Sequence, residues 1–149
     1  MPTDKTIARH RGDYRFWAPV LIRYSDQDPM GHVNNVAIAA YFESGRMGLL
    51  EDIFRQTGLP NQGMVLARLT IDYLQEITMD YAGEKLEVGG RLARIGGRSM
   101  TTHYALFKGE TCCAVSESVN VFFDPTTRRS CEPGPQFLDA MNRYFEDQG

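Results

Sequence analysis

Cysteine, long apolar runs and an excess of one charge are all scarce in this chain of 149 residues. Of its 3 cysteines, Cys112 and Cys113 are adjacent and Cys131 is distant, which forms neither a disulfide framework nor a zinc knuckle. A reducing, cytoplasmic compartment is therefore the expected location, and we expect the thiols of Cys112 and Cys113, which fall in a predicted strand, to be inert. The His, Cys, Asp and Glu residues show no spacing typical of a metal site, so we expect neither a metal nor a cofactor.

The apolar runs are short and the charges are nearly balanced. The longest run, residues 36–42, falls far below the roughly 20 residues that span a bilayer. Residues 1–5 contain no apolar segment of the kind found in secretion signals. A net charge of −3 lacks the basic excess of a nucleic-acid-binding domain. We therefore expect no membrane span, no secretion signal and no nucleic-acid partner.

The composition that remains is that of an ordinary globular protein, with 42% hydrophobic and 11% aromatic residues. A chain of this length typically forms one domain, and no repeat, low-complexity tract or linker divides it. We therefore expect a single domain over residues 1–149, in which the polar residues 1–13 form a loosely held arm.

Hydrophobic periodicity predicts the order of the elements. Residues 16–24 alternate as a strand does, and Pro19 places this strand at a sheet edge because proline donates no ladder hydrogen bond. A long helix follows over residues 35–56. Four further strands and a closing helix are predicted at 67–73, 85–92, 100–107, 113–123 and 137–145.

The long helix has clear boundary signals. Asn34 or Asn35 is the expected N-cap, and Gly58 stands just past the expected end. Gly45 and Gly48 are costly inside a helix, so we expect another backbone to pass close to that face. The apolar stripe at helical spacing is Val36, Ala40, Met47, Leu50 and Phe54.

The strand connections predict the fold class. Gly96-Gly97 fits a two-residue hairpin turn with positive φ, and residues 108–110 look like the next reversal. Hairpins make the last three strands antiparallel. A sheet of this kind leaves one apolar face bare, which the apolar helix fills. The prediction is an α+β domain with a curved antiparallel sheet wrapped around one helix.

The segment that carries chemistry is 24–35, between the first strand and the long helix. It places two acids, Asp26 and Asp28, with a glycine, a histidine and two asparagines at a helix start. The first N–H groups of a helix lack internal partners and stabilise an anion or a developing oxyanion. A carboxylate just upstream would attack a carbonyl or activate a water against it. A capped turn without chemistry uses the same residue types.

These residues also carry a family resemblance. Asp-x-Asp-Pro-x-Gly-His-Val-Asn-Asn at 26–35, followed by Tyr-Phe-Glu-Ser-Gly-Arg at 41–46, resembles the signature of the 4-hydroxybenzoyl-CoA thioesterase family of hot-dog proteins. The resemblance is close over residues 22–46 and extends, as an order of elements, over about 16–124. It implies the hot-dog fold, with a curved antiparallel sheet around one long central helix and, here, a short C-terminal helix.

The resemblance also implies the roles of individual residues. Asp28 matches the catalytic carboxylate, Asp26 a structural companion, and the backbone N–H of Asn35 the group that polarises the thioester carbonyl. Some relatives have a catalytic histidine at that last position, whereas this chain has asparagine. The candidate substrate-binding residues are Gly31, His32, Val33, Asn34 and Glu43.

Other candidate residues lie further along the chain. Glu43 and Arg46 match family positions within the helix, and we expect them to form an internal ion pair at i, i+3, with a direct part in catalysis as the alternative. Residues after the hairpin glycines contact coenzyme A phosphates in the family, which points to Arg98 and Ser99. A solvated hairpin tip is the alternative interpretation there. His103, in mid-strand, is expected to be a hydrogen-bonded structural residue.

The function implied is an acyl-CoA thioesterase that releases a free acid and coenzyme A, with Asp28 as nucleophile or general base. One alternative is an acyl-carrier-protein thioesterase, because plant-type enzymes of that class show a similar His-Val-Asn-Asn run. Another is a non-catalytic acyl-thioester-binding module, since fold does not determine function. The resemblance implies a homodimer or homotetramer with the site at the interface.

Overall fold

The computed structural model describes residues 6–58, 63–78 and 85–146. In chain order its elements are β1 (Phe16–Val20), α1 (Asn35–Thr57), β2 (Met64–Tyr73), β3 (Leu86–Ile95), β4 (Ser99–Lys108), β5 (Thr111–Asp124), β6 (Arg129–Ser130) and α2 (Pro135–Glu146). The predicted order of one strand, a long helix, four strands and a closing helix is confirmed, and the short β6 is added to it.

The strands form one antiparallel sheet in the order β1-β3-β4-β5-β2, with β6 paired to β5. The sheet curls around α1, so the predicted α+β hot-dog architecture is confirmed. Among the described strands, β1 pairs with β3 alone and is an edge strand, as Pro19 predicted. It ends at Val20 rather than at residue 24, because Tyr24–Asp26 turns into a 3₁₀ helix.

α1 begins and ends where its boundary signals predicted. Asn34 is the N-cap, and its side-chain oxygen accepts a hydrogen bond from the Ala37 N–H at 2.8 Å. Gly58 ends the helix in the left-handed conformation, with φ of +69°. The sequence inside the helix does not indicate in the same way which face is buried, because its first turns are apolar on nearly every side.

The apolar stripe predicted for α1 was wrong in part. Val36 is 73% exposed and Met47 is 60% exposed. Because every residue from 36 to 42 is apolar, the hydrophobic periodicity of this segment does not show which face of the helix is buried. The residues that α1 buries are Ala37, Ile38, Tyr41, Phe42, Gly45, Arg46, Leu49 and Ile53.

The two glycines inside α1 mark close packing, as predicted, but against side chains rather than a backbone. A Cβ atom added to Gly45 would lie 2.5 Å from Cγ1 of Val88 on β3. One added to Gly48 would lie 3.2 Å from Cζ of Phe16 on β1. These contacts let the helix lie close to that half of the sheet.

The two predicted hairpins have different outcomes. Lys108 pairs with Thr111 around Gly109, whose φ is +59°, so the second reversal is confirmed. The first turn was wrong, because three residues separate β3 from β4 and neither Gly96 nor Gly97 has a positive φ. A register shift between residues 92 and 94 changes the pairing of β3 with β4 just before this turn. No local sequence motif predicts that shift.

Hydrophobic clusters cover both faces of the sheet. The larger lies between the sheet and α1, and α2 adds Phe137 against Phe54 and Phe122. The smaller lies on the opposite face, where the N-terminal segment packs Ile7, Ala8, Tyr14 and Trp17 against β4 and β5.

The N-terminal segment is held more firmly than expected. The Arg11 guanidinium donates hydrogen bonds to the Gly109 carbonyl at 3.1 Å and to Glu87 at 2.9 Å, and lies 4.1 Å from the centroid of the Trp17 ring. The described part of the expected loose arm is therefore anchored, whereas residues 1–5 lie outside the described residues. No helix in the described ranges is both long and apolar enough to cross a membrane.

Candidate active site

The turn between β1 and α1 is closed by its own backbone. The Asp28 N–H donates to the His32 carbonyl at 2.8 Å, and the Gly31 N–H donates to the Asp28 carbonyl at 3.0 Å. Gly31 has φ of +82°, which favours glycine and explains why this residue type stands at the tip. The turn therefore holds Asp28 beside His32 just ahead of the helix.

The Asp28 carboxylate is held by one of its two oxygens. Its Oδ1 accepts hydrogen bonds from the backbone N–H groups of Met30 at 2.9 Å and His32 at 3.1 Å. Within residues 6–58, 63–78 and 85–146, no donor reaches Oδ2. The geometry orients the carboxylate and leaves an oxygen available for a substrate or a water.

Asp28 and the start of α1 line the same cleft, which has a volume of about 580 Å³. One wall carries Asp28, His32, Asn34 and Asn35, and the other is formed by residues 73–77, which begin at the last residue of β2. Among the described residues no acceptor reaches the Asn35 N–H, which lies at the positive end of the helix dipole. The structure thus brings the predicted acid and the predicted oxyanion donor together.

Asp26 has a structural role, as the resemblance implied. It is 3% exposed, and its carboxylate accepts hydrogen bonds from Tyr41 Oη at 2.6 Å and from the Arg23 N–H at 2.9 Å and guanidinium at 3.1 Å. Burial by itself raises the pKa of Asp26, but these hydrogen bonds outweigh it and hold the pKa below its ordinary value. The same burial and the bond to Asp26 raise the pKa of Tyr41. The Asp26 carbonyl also accepts from the Asn34 N–H at 2.8 Å, so Asp26 positions the start of the helix.

The segment after β2 fastens the turn from the other side. Nε2 of His32 lies 3.0 Å from Oε2 of Glu76, and the Val33 N–H donates to the Ile77 carbonyl at 2.7 Å. His32 also bridges to Thr78. Sequence reasoning missed Glu76, because an acid one strand away from the motif has no local signal that ties it to His32.

Glu43 and Arg46 do not form the predicted ion pair. Arg46 is buried and donates from Nη1 to Ser118 Oγ on β5 at 3.3 Å, whereas Glu43 is exposed. The i, i+3 spacing allows a pair, but burial turns Arg46 toward the sheet. Both residues line a second cleft beside the C-terminal half of α1, away from Asp28.

Arg98 and Ser99 lie far from Asp28 within one chain. Arg98 precedes β4 and Ser99 begins it, whereas the other end of β4, at Lys108, reaches the Thr78 carbonyl beside the Asp28 turn. A ten-residue strand spans about 30 Å. The Arg98 guanidinium donates to the Ser130 carbonyl at 3.1 Å. Contact between Arg98 and a ligand at Asp28 stays a prediction.

Comparison with known proteins identifies the family. The family model of the thioesterase-like superfamily matches residues 22–141, which is most of the chain. The chain belongs to this superfamily. As a thioesterase-superfamily domain, it is a thioester hydrolase.

One relative is similar in sequence, and solved structures are similar in fold. The uncharacterized protein YsmA of Bacillus subtilis (strain 168) is 29% identical over 111 residues, covering 73% of this thioesterase and 74% of YsmA. The structure of a predicted thioesterase from Bacillus stearothermophilus is 29% identical, with a TM-score of 0.71 over 89% of this chain and 95% of that one. A thioesterase from Thermus thermophilus, complexed with coenzyme A and Zn, is 24% identical with a TM-score of 0.76 over 91% and 97%.

The other residues singled out in this thioesterase lie outside the cleft. Nε2 of His103 lies 2.8 Å from Oε2 of Glu117, which confirms a hydrogen-bonded structural histidine. Burial raises the pKa of the Cys112 thiol, and a thiol with a raised pKa is a weak nucleophile. Among the described residues no three His, Cys, Asp or Glu side chains are grouped to hold a metal.

Proposed function

We propose that this thioesterase hydrolyses acyl-CoA thioesters to a free carboxylic acid and coenzyme A. Asp28 is the nucleophile or the general base, and the Asn35 N–H holds the carbonyl oxygen. The observation that carries the proposal is that Asp28 and the free N–H at the start of α1 line one cleft. An acid placed beside an oxyanion donor is the minimum that thioester hydrolysis requires.

Two routes use this geometry. As a general base, Asp28 takes a proton from a water whose oxygen attacks the carbonyl carbon, and the tetrahedral intermediate then expels the coenzyme A thiolate. As a nucleophile, Asp28 attacks the carbonyl carbon itself, and water then hydrolyses the mixed anhydride. The thiolate takes up a proton in both routes, and the reaction uses only side chains, backbone and water.

Other findings support the carrier and the family. The Thermus thermophilus thioesterase with this fold was studied in complex with coenzyme A, which supports coenzyme A as the carrier. The motif at residues 26–35 supports membership of the finer 4-hydroxybenzoyl-CoA thioesterase family. Cys112 and Cys131 are free thiols, which suits the proposed cytoplasmic location.

Self-association is part of the proposal. Val36 and Met47 on α1 and Leu66, Leu69 and Tyr73 on β2 are exposed, and β2 is an edge strand. Apolar surface beside an unpaired strand edge favours pairing with another copy. A homodimer or homotetramer formed there would cover Tyr73 beside the Asp28 cleft and Met47 and Leu66 beside the cleft that Glu43 and Arg46 line. Light scattering on the purified protein measures the mass of the assembly.

The experiment that tests the activity is thiol release from a panel of short, long and aromatic acyl-CoAs. The same acyl groups carried on acyl-carrier protein form a second arm, because an enzyme specific for that carrier would release thiol only there. We expect release from at least one acyl-CoA, and more rapidly than from the matching carrier-protein thioester. Release from no acyl-CoA would contradict the proposal.

A further inference from the structure

The second cleft lies between the C-terminal half of α1 and strands β2 and β5, and has a volume of about 560 Å³. Its walls are aliphatic, thioether and aromatic side chains, including Met47, Leu50, Phe54 and Met64. Its remaining lining is polar and comes from α1 and from Asn120 on β5. The apolar walls suit a flexible hydrocarbon chain, whereas the polar groups suit a polar group of a ligand.

Arg46 is one of these polar groups. It is 6% exposed, and among the described residues its guanidinium makes one hydrogen bond, to Ser118, and has no carboxylate within 4.0 Å. A guanidinium carries five N–H donors. Leaving donors of a buried cation unmet costs free energy that an acceptor from a ligand would recover.

Asn120 is the second polar group. It is 6% exposed, and its Oδ1 is buried without any hydrogen-bond partner among the described residues. On the same face of β5, the Ser116 hydroxyl is also buried without a partner among the described residues. Native proteins contain few such atoms, and because Asn120 lines the cleft, a hydroxyl of a bound ligand is the group that would complete this one.

The charge at the cleft limits which ligand fits. Glu43 and Glu51 line the same cleft and are exposed to solvent. Two carboxylates against one guanidinium disfavour a further anion. An uncharged oxygen suits both buried groups, since it accepts from Arg46, and a hydroxyl also donates to Asn120 Oδ1.

We propose that the second cleft binds the acyl chain of the substrate and selects aliphatic chains that carry an uncharged oxygen, such as a hydroxyl, remote from the thioester. This rests on the proposed thioesterase function and adds the substrate class. Arg46 follows Asn35 by three helical turns, about 16 Å along the axis. Arg46 and Asn120 are thus specificity residues, separate from the machinery at Asp28.

The first test compares wild-type kcat/KM on dodecanoyl-CoA with that on dodecanoyl-CoAs hydroxylated at the middle or at the end of the chain. We expect one hydroxylated substrate to be preferred by about tenfold, the value of one net hydrogen bond. A dicarboxylate analogue, ω-carboxydodecanoyl-CoA, is expected to be no better than the plain chain. Equal rates on plain and hydroxylated chains, or preference for the carboxylate, would overturn the proposal.

The second test uses Asn120→Leu, which replaces the amide by an apolar group of similar size. It should remove the preference, lowering kcat/KM on the hydroxylated chain by about tenfold without lowering it on the plain chain. Met64→Leu in the same cleft is the control and should change both substrates equally. An unchanged preference in folded Asn120→Leu contradicts the proposal.

A binding measurement separates this proposal from the proposed function. Calorimetry with dodecanoic acid and its hydroxylated counterpart needs no turnover, and tighter binding of the hydroxylated acid by about tenfold is expected. If no thioester is hydrolysed but this preference is measured, the function fails and the cleft assignment stands. If thioesters are hydrolysed and the two acids bind equally, the cleft assignment fails alone.

Discussion

The two clefts beside α1 are built in different ways. The Asp28 cleft owes most of its chemistry to one continuous segment, in which Asp26, Asp28, Gly31 and Asn35 stand within ten residues. The second cleft takes Arg46 from the helix and Asn120 from a strand more than seventy positions later. Short-range hydrogen bonds hold the first, and packing of distant elements holds the second. A local sequence motif can therefore predict the Asp28 cleft but not the second cleft.

The largest expected effect is at the Asp28 cleft. Asp28→Asn keeps the size of the side chain and removes the carboxylate, so kcat on acyl-CoA should fall by about 10²–10⁴-fold, the usual contribution of a general base. Asp139→Asn, an exposed change on α2, is the matched control and should leave kcat unchanged. Thiol release measures both, with circular dichroism to verify folding. Activity near the wild-type value in Asp28→Asn would remove the acid from the mechanism.

The support beneath that cleft is tested with Tyr41→Phe. The change deletes the hydroxyl that donates to buried Asp26, and it should lower the free energy of unfolding by about 1–3 kcal/mol. The ordinary carboxyl pKa is 3.8, and Asp26 is held below it. Its stabilising contribution is therefore present above pH 3.8 and is lost as pH falls through the lowered folded-state pKa.

Tyr41→Phe should accordingly flatten the acid side of the stability profile. Urea unfolding from neutral pH down to about pH 2 measures it. Tyr24→Phe, at an exposed ring in the same turn, is the control and should match the wild type. Parallel acid profiles for wild type and Tyr41→Phe would show that this hydrogen bond does not set the pKa.

A pair of serines on β5 tests the support of the second cleft. Ser118→Ala removes the one described acceptor of Arg46 and should cost about 1 kcal/mol. Ser116→Ala removes a buried hydroxyl that has no partner among the described residues, so stability should stay the same or rise. Denaturant midpoints compare the two, and a loss of the same size in both would mean that Ser118 matters for packing alone.

The smallest effect on stability is expected at the contact between His32 in the turn and Glu76 in the segment after β2. Glu76→Gln keeps the shape but removes the charge that faces His32, and exposed ion pairs contribute about 0–1 kcal/mol. Thermal unfolding should therefore shift by only a few degrees. Glu146→Gln at the end of α2 is a control for the loss of one negative charge. A large loss of stability in Glu76→Gln would show that residues 73–77, more than the local turn, hold the Asp28 site together.

Much of the fold was predictable because its signals are local. Asn34 and Gly58 bound α1 through backbone needs that any helix has, and Pro19 marks an edge because it lacks an N–H. The prediction that Val36 and Met47 are buried was wrong because no local signal exists there. A helix that is apolar on all sides does not show which face packs against the sheet. Gly96 misled because a bulge several residues earlier alters the turn.

The candidate site divides in the same way. Asp28 and Asn35 could be named from the sequence because the same turn that brings them together is encoded in adjacent residues. Glu76 could not, since it meets His32 only when the end of β2 lies beside the turn. The expected Glu43–Arg46 pair failed because helical spacing says which residues are neighbours but not which of them the sheet buries.

By itself, the sequence determined the helix ends, the edge strand and an acid placed before a helix start, because each depends on hydrogen bonds among near neighbours. Tertiary structure alone decided which side of α1 is buried, which partner Arg46 finds and which buried polar atoms of β5 have no partner among the described residues. Those outcomes depend on how the sheet curls around the helix. The free energy of burial depends on contacts between residues that are distant along the chain, so a local sequence pattern does not determine it.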